Sequence, residues 1–165
     1  MNQKSDAVKK VETFLQKKGA NVELIRLADT ARSAKDASLA LNTDEGSIIK
    51  SLLFRVDNGE VSKPVMALIS GDRKGNEDQI LVSSGLTGKI KRPDAEYVKK
   101  ITGFSIGGVS PLSISKNIPI LIDDKLNRFK ILWASAGHTH WVLPIKFNDL
   151  IKLTNGIVVD NLSKV

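Results

Sequence analysis

One lysine, Lys50, lies inside an apolar run of the sequence, GSIIKSLLF at residues 46–54. The run predicts a β-strand, and alternate side chains of a strand share a face, so Lys50 points the same way as Leu52 and Phe54. Burying an unpaired ammonium group is costly. The lysine is therefore either a functional group with a polar partner, or a residue that protects an exposed strand edge and extends its stem to water.

A second candidate is the segment TGFSIGGVSP, residues 102–111. Two adjacent glycines, Gly107 and Gly108, followed by Ser110 and Pro111, are typical of a loop that exposes its backbone. Such a loop can direct peptide N–H groups at an anion or at the oxyanion that develops during acyl transfer. A plain tight turn between a helix and a strand is the alternative.

A third candidate is WASAGHTHWV, residues 133–142, which contains both histidines of the chain, His138 and His140. In an extended segment the two imidazoles lie on one face, a spacing compatible with metal ligation. A catalytic zinc site needs a third protein ligand, and no recognisable motif supplies one. We therefore expect these histidines to recognise or position a substrate, with a surface hairpin as the alternative, and we expect no metal.

Composition narrows the chemistry further. The chain has no cysteine, which excludes a thiolate nucleophile and disulfides. Ser110 and Ser135 carry hydroxyl groups, but neither lies in a nucleophile-elbow pattern. The net charge of +7 indicates a polyanionic partner such as RNA, DNA, a nucleotide or an anionic membrane. Aromatic residues make up only 5% of the chain, which argues against a stacking platform for single-stranded nucleic acid.

The basic residues fall into two groups, and solvated helix faces explain most of them. The second group lies just before the glycine loop and is the better candidate for a surface that follows phosphates. The first group is Lys9, Lys10, Lys17 and Lys18, and the second is Lys89, Lys91, Arg92, Lys99 and Lys100.

The 165 residues predict one domain, residues 1–165, with ordinary apolar content. No stretch of 18 or more apolar residues occurs, and the N-terminus has no apolar signal region. We therefore expect a cytoplasmic protein.

Hydrophobic periodicity and caps predict several helices. They lie at residues 5–19, from a cap at Thr30 or Ser33 to about residue 41, and at 93–103 and 147–156. Short apolar runs predict strands at residues 22–27, 46–56, 64–70, 118–123, 129–135, 139–145 and 157–160. Asn58-Gly59 predicts a hairpin turn, and residues 71–92 predict a short helix followed by a strand. The mixture indicates an α+β fold with a mixed, barrel-like β-sheet surrounded by helices.

Taken together, the segments IIKSLLF, TGFSIGGVSP and WASAGHTH resemble the YbaK/prolyl-tRNA synthetase editing-domain family, the aminoacyl-tRNA deacylases. Their order fits the family, as does the helix SAKDASLALN shortly before Lys50, and the resemblance covers nearly the whole chain. Lys50 matches the characteristic lysine of the family, and residues 107–111 match its Gly-x-x-x-Pro loop. The fold of the family is a mixed, barrel-like sheet surrounded by helices.

The resemblance implies hydrolysis of the ester that joins a wrongly attached amino acid to the 3′ end of a tRNA. It implies aminoacyl-tRNA as the partner, typically tRNA(Pro) carrying a small non-cognate residue, and prolyl-tRNA synthetase as a further partner, but neither DNA nor a membrane. It also implies catalysis without a metal or cofactor, through a positioned water, backbone groups and substrate hydroxyls. No part of the chain resembles a synthetase catalytic or anticodon-binding domain, so we expect a free-standing trans-editing enzyme.

The resemblance also suggests roles for particular residues. The catalytic residues that it implies are Lys50, Gly107, Gly108 and Ser110. The substrate-binding residues that it implies are Val109, Pro111, Ser135, Gly137, His138 and His140.

Several alternatives stay open at this point. The chain could be a non-catalytic tRNA- or nucleotide-binding module with the same fold, or a metal-dependent hydrolase that uses His138 and His140. Asn42 stands where relatives often have glycine, and the His-x-His segment resembles the branches that handle alanine or similarly small side chains more than the cysteine-specific branch. A hydrophobic pocket separates side chains that differ by one methylene only weakly. The sequence therefore leaves open the choice among Ala, Cys, Ser, Thr and 2-aminobutyrate, the tRNA determinants and the oligomeric state.

Overall fold

The structure is a computed structural model that describes residues 3–29 and 31–165. Thr30, one of the two predicted caps of the second helix, lies outside the described residues. The described helices are α1 (Asp6–Lys17), α2 (Ala34–Leu41), α3 (Glu77–Ser84), α4 (Ala95–Thr102) and α5 (Phe147–Thr154). Two 3₁₀ turns, Glu45–Ser47 and Asp124–Arg128, flank the central strands.

The helix ends follow local chemistry. The Ser33 hydroxyl caps α2 by accepting a hydrogen bond from the Asp36 N–H at 3.0 Å, as helix N-termini require. The same helix ends at Asn42, whose φ of 52° lies in the left-handed region. Asparagine adopts this conformation more readily than most residues. Asn42 therefore ends α2 in the left-handed conformation that glycine most often supplies at helix ends.

The described strands are short apart from two long central ones. They are β1 (Ile25–Arg26), β2 (Ile49–Asp57), β3 (Ser62–Ser70), β4 (Lys74–Gly75), β5 (Lys89–Lys91), β6 (Ile120–Asp123), β7 (Leu132–His138), β8 (Trp141–Ile145), β9 (Ile157–Val159) and β10 (Ser163–Lys164). Asn58 closes the β2–β3 hairpin, since its side-chain oxygen accepts hydrogen bonds from the N–H groups of Glu60 and Val61. This confirms the predicted turn at Asn58-Gly59.

The strands form three sheets. The central sheet has the order β5-β2-β3-β6-β9, with antiparallel pairs around β2 and parallel pairs around β6. A second, antiparallel sheet has the order β1-β8-β7, and β10 pairs with β4. The mixed α+β class is therefore confirmed, while none of the sheets among the described residues closes into a barrel.

The central sheet is covered on both faces. Ile49 and Leu53 of β2 belong to a large core that includes α1 and the β7–β8 hairpin. Phe54 and Val56, on the opposite face of β2, belong to a smaller core that includes Ile80 of α3. Sheets buried on both faces carry continuous apolar runs rather than an alternating pattern, which explains the fully buried run Val65–Ser70 of β3.

The predicted elements are broadly present but often shorter than expected. The predicted strand at 22–27 is reduced to the two residues of β1. The strands β4 and β10 were not predicted, because a two-residue strand leaves no periodic signal.

Among the described residues, no helix has the length and apolarity needed to cross a bilayer.

The turn at residues 71–73 packs directly on the backbone that precedes β2. A Cβ atom added to Gly71 would lie 2.3 Å from the carbonyl oxygen of Glu45 and 2.8 Å from that of Ile48. Only glycine therefore fits at this position without a backbone shift.

We expect Gly71→Ala to lower the free energy of unfolding by about 2 kcal/mol, because overpacking against backbone forces the chain to move. Urea unfolding measures this change. Gly59→Ala is the matched control: the added Cβ meets nothing within 4 Å, and only its φ of +98° is strained, so it costs about 1 kcal/mol. Equal midpoints for Gly71→Ala and the wild type would contradict the close packing.

Candidate active site

A cavity of about 340 Å³ lies where β2, the β7–β8 hairpin, the start of α2 and the glycine loop meet. This volume is in the range of small-molecule sites. Its lining residues lie at positions 31–34, 37, 48–53, 92, 98, 106, 107, 109, 133–135, 138, 139, 141 and 142. Lys50, Gly107, Val109, Ser135 and His138, all predicted from the sequence, meet at this cavity.

The cavity borders one edge of β2. On one side β2 pairs with β3 over its whole length, but on the other side β5 pairs only with Arg55–Asp57. Five consecutive residues of β2, 49–53, line the cavity, so both faces and the edge between them contribute. Alternate residues of an antiparallel strand direct their N–H and C=O groups away from the paired neighbour. Ile48, directly before β2, forms an isolated bridge with Trp133. Between this bridge and the pairing of Arg55 with β5, the edge of β2 can offer backbone hydrogen-bonding groups to a ligand.

Lys50 is half-buried, and its ammonium group donates a hydrogen bond to the carbonyl oxygen of Arg73. Burial lowers the pKa of Lys50, while the carboxylates of Glu45, Asp72 and Asp123 oppose that shift. A lysine has three N–H donors. One engages the protein here, and the ammonium has capacity left for an anionic or carbonyl group of a ligand.

The two adjacent glycines of the loop at residues 102–111, Gly107 and Gly108, have different roles in the structure. Gly107 has a φ of +92° and lines the cavity. Gly108 is buried, and its N–H donates to the Ser105 carbonyl at 2.9 Å. A Cβ on Gly108 would lie 3.0 Å from the Cα of His138. Gly108 therefore lets the loop approach the β7–β8 hairpin, and its N–H is already engaged.

Ser110 and Pro111 lie behind the cavity and do not line it. The side chain of Ser110 is fully buried, and its hydroxyl accepts a hydrogen bond from the Leu112 N–H at 3.2 Å. Pro111 is also buried. In this structure both residues shape the loop from within, and the Ser110 hydroxyl does not face the cavity.

The β7–β8 hairpin brings Ser135 and His138 to the cavity through an irregular register between these two residues. Gly137 lies between them with a φ of +102°, and a Cβ there would lie 2.9 Å from the Ala7 carbonyl oxygen. A larger residue would thus push α1 away from the hairpin. Gly137 acts as a packing residue and does not line the cavity.

The two histidines form a pair in which only His138 lines the cavity. Their rings stack with centroids 5.2 Å apart, and the His138 Nδ1 accepts a hydrogen bond from the His140 N–H at 3.1 Å. The His140 carbonyl accepts a hydrogen bond from Leu27. Within residues 3–29 and 31–165, no group of three or more potential ligand side chains could hold a metal ion.

The structure adds cavity residues that sequence reasoning missed. Ser51 lines the cavity, and its hydroxyl is buried with no hydrogen-bond partner among the described residues. The signal in the sequence that could have identified Ser51 is its position directly after Lys50 in an apolar strand. Arg32 also lines the cavity, although nothing in the sequence singles it out. Arg92, predicted as part of a phosphate-binding surface, lines the cavity with its guanidinium 4.9 Å from the centre of the Phe54 ring.

Comparison with known proteins defines the class to which this fold and cavity belong. The family model of the aminoacyl-tRNA editing domain matches residues 28–153, and the chain therefore belongs to this family. Members of the family remove wrongly attached amino acids from tRNA. The chain is accordingly an aminoacyl-tRNA deacylase.

Individual relatives agree with the family. The chain is 26% identical to a candidate Cys-tRNA(Pro)/Cys-tRNA(Cys) deacylase of Enterococcus faecalis, over 75% of this chain and 73% of that protein. It is 30% identical to a proline–tRNA ligase of Brachyspira hyodysenteriae, over 66% of this chain but only 18% of the ligase. The crystal structure of a candidate trans-editing enzyme for prolyl tRNA synthetase superposes with a TM-score of 0.87, at 26% identity, over 99% of this chain and 100% of that one.

The lowered pKa of Lys50 has a consequence for stability. Between this lowered pKa and the ordinary value of 10.5, the unfolded chain binds a proton that the folded chain has lost. The free energy of unfolding therefore gains a contribution that rises with pH across this window.

We expect this contribution in the wild type and not in Lys50→Met, which has no titrating group at position 50. Lys10, whose pKa burial also lowers, titrates in both proteins, so the comparison isolates Lys50. Urea unfolding of both proteins from about pH 7 to about pH 10 measures the difference. If the two curves of stability against pH run parallel, burial does not shift the pKa of Lys50.

Proposed function

We propose that this deacylase hydrolyses the ester between a small non-cognate amino acid and the 3′-terminal adenosine of tRNA(Pro). We further propose that residues 1–165 form one editing domain, and that it acts in trans, in the cytoplasm, without a cofactor. The observation that carries this proposal is the meeting of Lys50, Gly107 and His138 at one cavity along an open strand edge. The names of all three relatives given above include tRNA(Pro) or a prolyl-tRNA synthetase.

The reaction suits such a site because an aminoacyl ester is already activated. Positioning of a water molecule and stabilisation of the developing oxyanion can then suffice without a covalent nucleophile. The open edge of β2 and the glycine loop can supply backbone N–H donors to the ester carbonyl and to the water. The Gly107 N–H lies in the part of this loop that lines the cavity, whereas the Gly108 N–H is occupied.

Lys50 and two arginines are suited to bind the tRNA end. Lys50 lies within the cavity wall, where its ammonium can make charge-assisted hydrogen bonds to a polar group of the terminal adenosine. The exposed residues Arg32 and Arg92 line the same cavity and suit the phosphates of the incoming strand. His138 and Ser135 of the β7–β8 hairpin line the same cavity and are proposed to position the substrate.

The apolar part of the cavity suits a small side chain. Leu53, Val98, Ala134 and Trp141 line it and belong to the large core. Such a wall is rigid because core side chains are closely packed. We expect this wall to exclude bulky side chains by size, while alanine, serine and cysteine differ too little for the wall to separate them strongly.

The decisive experiment incubates the protein with alanyl-, cysteinyl- and seryl-tRNA(Pro) and follows loss of the ester. We expect turnover of at least one substrate, and we expect Lys50→Ala to lower kcat/KM by about 100-fold or more, the size of effect seen when a key polar contact is removed. Lys35→Ala is the matched control, because Lys35 is exposed on α2 and does not line the cavity. The proposal is contradicted if no substrate is turned over, or if Lys50→Ala and the wild type turn substrate over equally fast.

The same experiment separates the two alternatives. A non-catalytic module would bind tRNA in a salt-sensitive way and leave every ester intact. A hydrolase that depends on a metal held by His138 and His140 would lose activity in a chelator and regain it when metal is added. We expect turnover that a chelator leaves unchanged.

A further inference from the structure

The C-terminal strand β10 lies against the turn that holds Lys50. Ser163 and Lys164 pair with Gly75 and Lys74 of β4, directly after the turn at residues 71–73. The preceding residue, Leu162, is fully buried in the smaller core. Its carbonyl accepts a hydrogen bond from the Asn76 N–H at 2.8 Å. The strand β10 is therefore held in two ways: by its pairing with β4, and by the buried side chain and bonded carbonyl of Leu162 directly before it.

Arg73 connects this strand to the cavity. Its Nε donates to the Ser163 hydroxyl at 2.7 Å, and a terminal nitrogen donates to the Ser163 carbonyl at 3.2 Å. The carbonyl of the same residue accepts the hydrogen bond from the Lys50 ammonium. The Arg73 carbonyl belongs to the planar peptide group that Arg73 shares with Lys74, and Lys74 is itself paired with Lys164 of β10. Ser163 thus helps to fix the direction of the carbonyl that Lys50 contacts.

We propose that β10 is a positioning element for Lys50 and acts from Ser163 through Arg73. The family match ends at residue 153, so this element lies outside the matched segment. The inference rests on the proposed function in one respect, namely that the placement of Lys50 matters for ester hydrolysis. A displacement of about 1 Å at a reacting centre can cost about 100-fold in rate, so even a small shift of the ammonium matters.

A purely structural role for β10 is the rival explanation. It predicts that loss of the Ser163 contacts lowers stability and nothing else. The proposal predicts in addition that the environment of Lys50 changes. Lys50 is surrounded by Glu45, Asp72, Asp123 and Lys74, so the test variants must leave all these charges and that of Arg73 in place.

The test uses Ser163→Ala and Arg73→Lys, both of which preserve charge. NMR titration of lysine side chains is expected to show the pKa of Lys50 moving towards 10.5, because a released ammonium is better hydrated. In the deacylation assay we expect kcat to fall by about tenfold with a smaller change in KM, as expected when a group is misplaced rather than lost.

Two control variants make the outcome decisive. Lys164→Ala alters the same strand at an exposed side chain and should change neither measurement. Asp94→Ala removes the cap of α4, a hydrogen bond to the Tyr97 N–H at 2.9 Å, and should cost about 1 kcal/mol of stability without moving the Lys50 titration.

An unchanged Lys50 titration in both Ser163→Ala and Arg73→Lys overturns the positioning role, whatever happens to stability. A shifted titration with unchanged deacylation supports the positioning of Lys50 and contradicts its proposed part in the reaction. The NMR measurement needs no substrate, so the two failures are distinguishable.

Discussion

The hydrogen bond from the Lys50 ammonium to the Arg73 carbonyl is the contact around which the site is arranged. A half-buried ammonium needs a partner, and a backbone carbonyl supplies one without neutralising the charge. Several interactions keep that carbonyl in place. Arg128 bridges the Asp72 carboxylate and the Ser70 hydroxyl, each at 2.8 Å, at the start of the turn. The buried Asp123 accepts a hydrogen bond from the Ser70 N–H at 3.1 Å.

The cavity combines rigid and irregular backbone. β2 is held by β3 along its whole length, which gives Lys50 and its neighbours a fixed register. The glycine loop and the bend in β7 are irregular, and both depend on glycines, Gly108 and Gly137, that allow close backbone contacts. Rigid strands place side chains accurately, while irregular loops leave backbone groups free for a ligand. Hydrolysis of an activated ester can use this combination because it depends mainly on positioning.

Much of the fold followed from local signals. The cap at Ser33, the turn at Asn58 and the periodicity of α1 each act over a few residues, and each is present in the structure. The predicted strand at 22–27 was too long because most of its residues find no strand partner among the described residues. The site was predicted partly: Lys50 and Gly107 line the cavity, whereas Ser110 is buried behind it. Burial of a loop residue depends on contacts with distant elements, which motif spacing does not contain.

The sequence by itself determined the family, the α+β class and the position of the unusual lysine, because these depend on residue types and short-range order. Only the tertiary structure decided what Lys50 contacts. Its partner, Arg73, lies 23 residues away, and the residue that holds Arg73 lies 90 residues further on. Neither Arg73 nor Ser163 is unusual in its local sequence. These residues meet because the pairing of β2 with β3 places the turn after β3 beside Lys50, and the pairing of β4 with β10 places Ser163 beside Arg73. Contacts over such distances leave no periodic signal in the sequence.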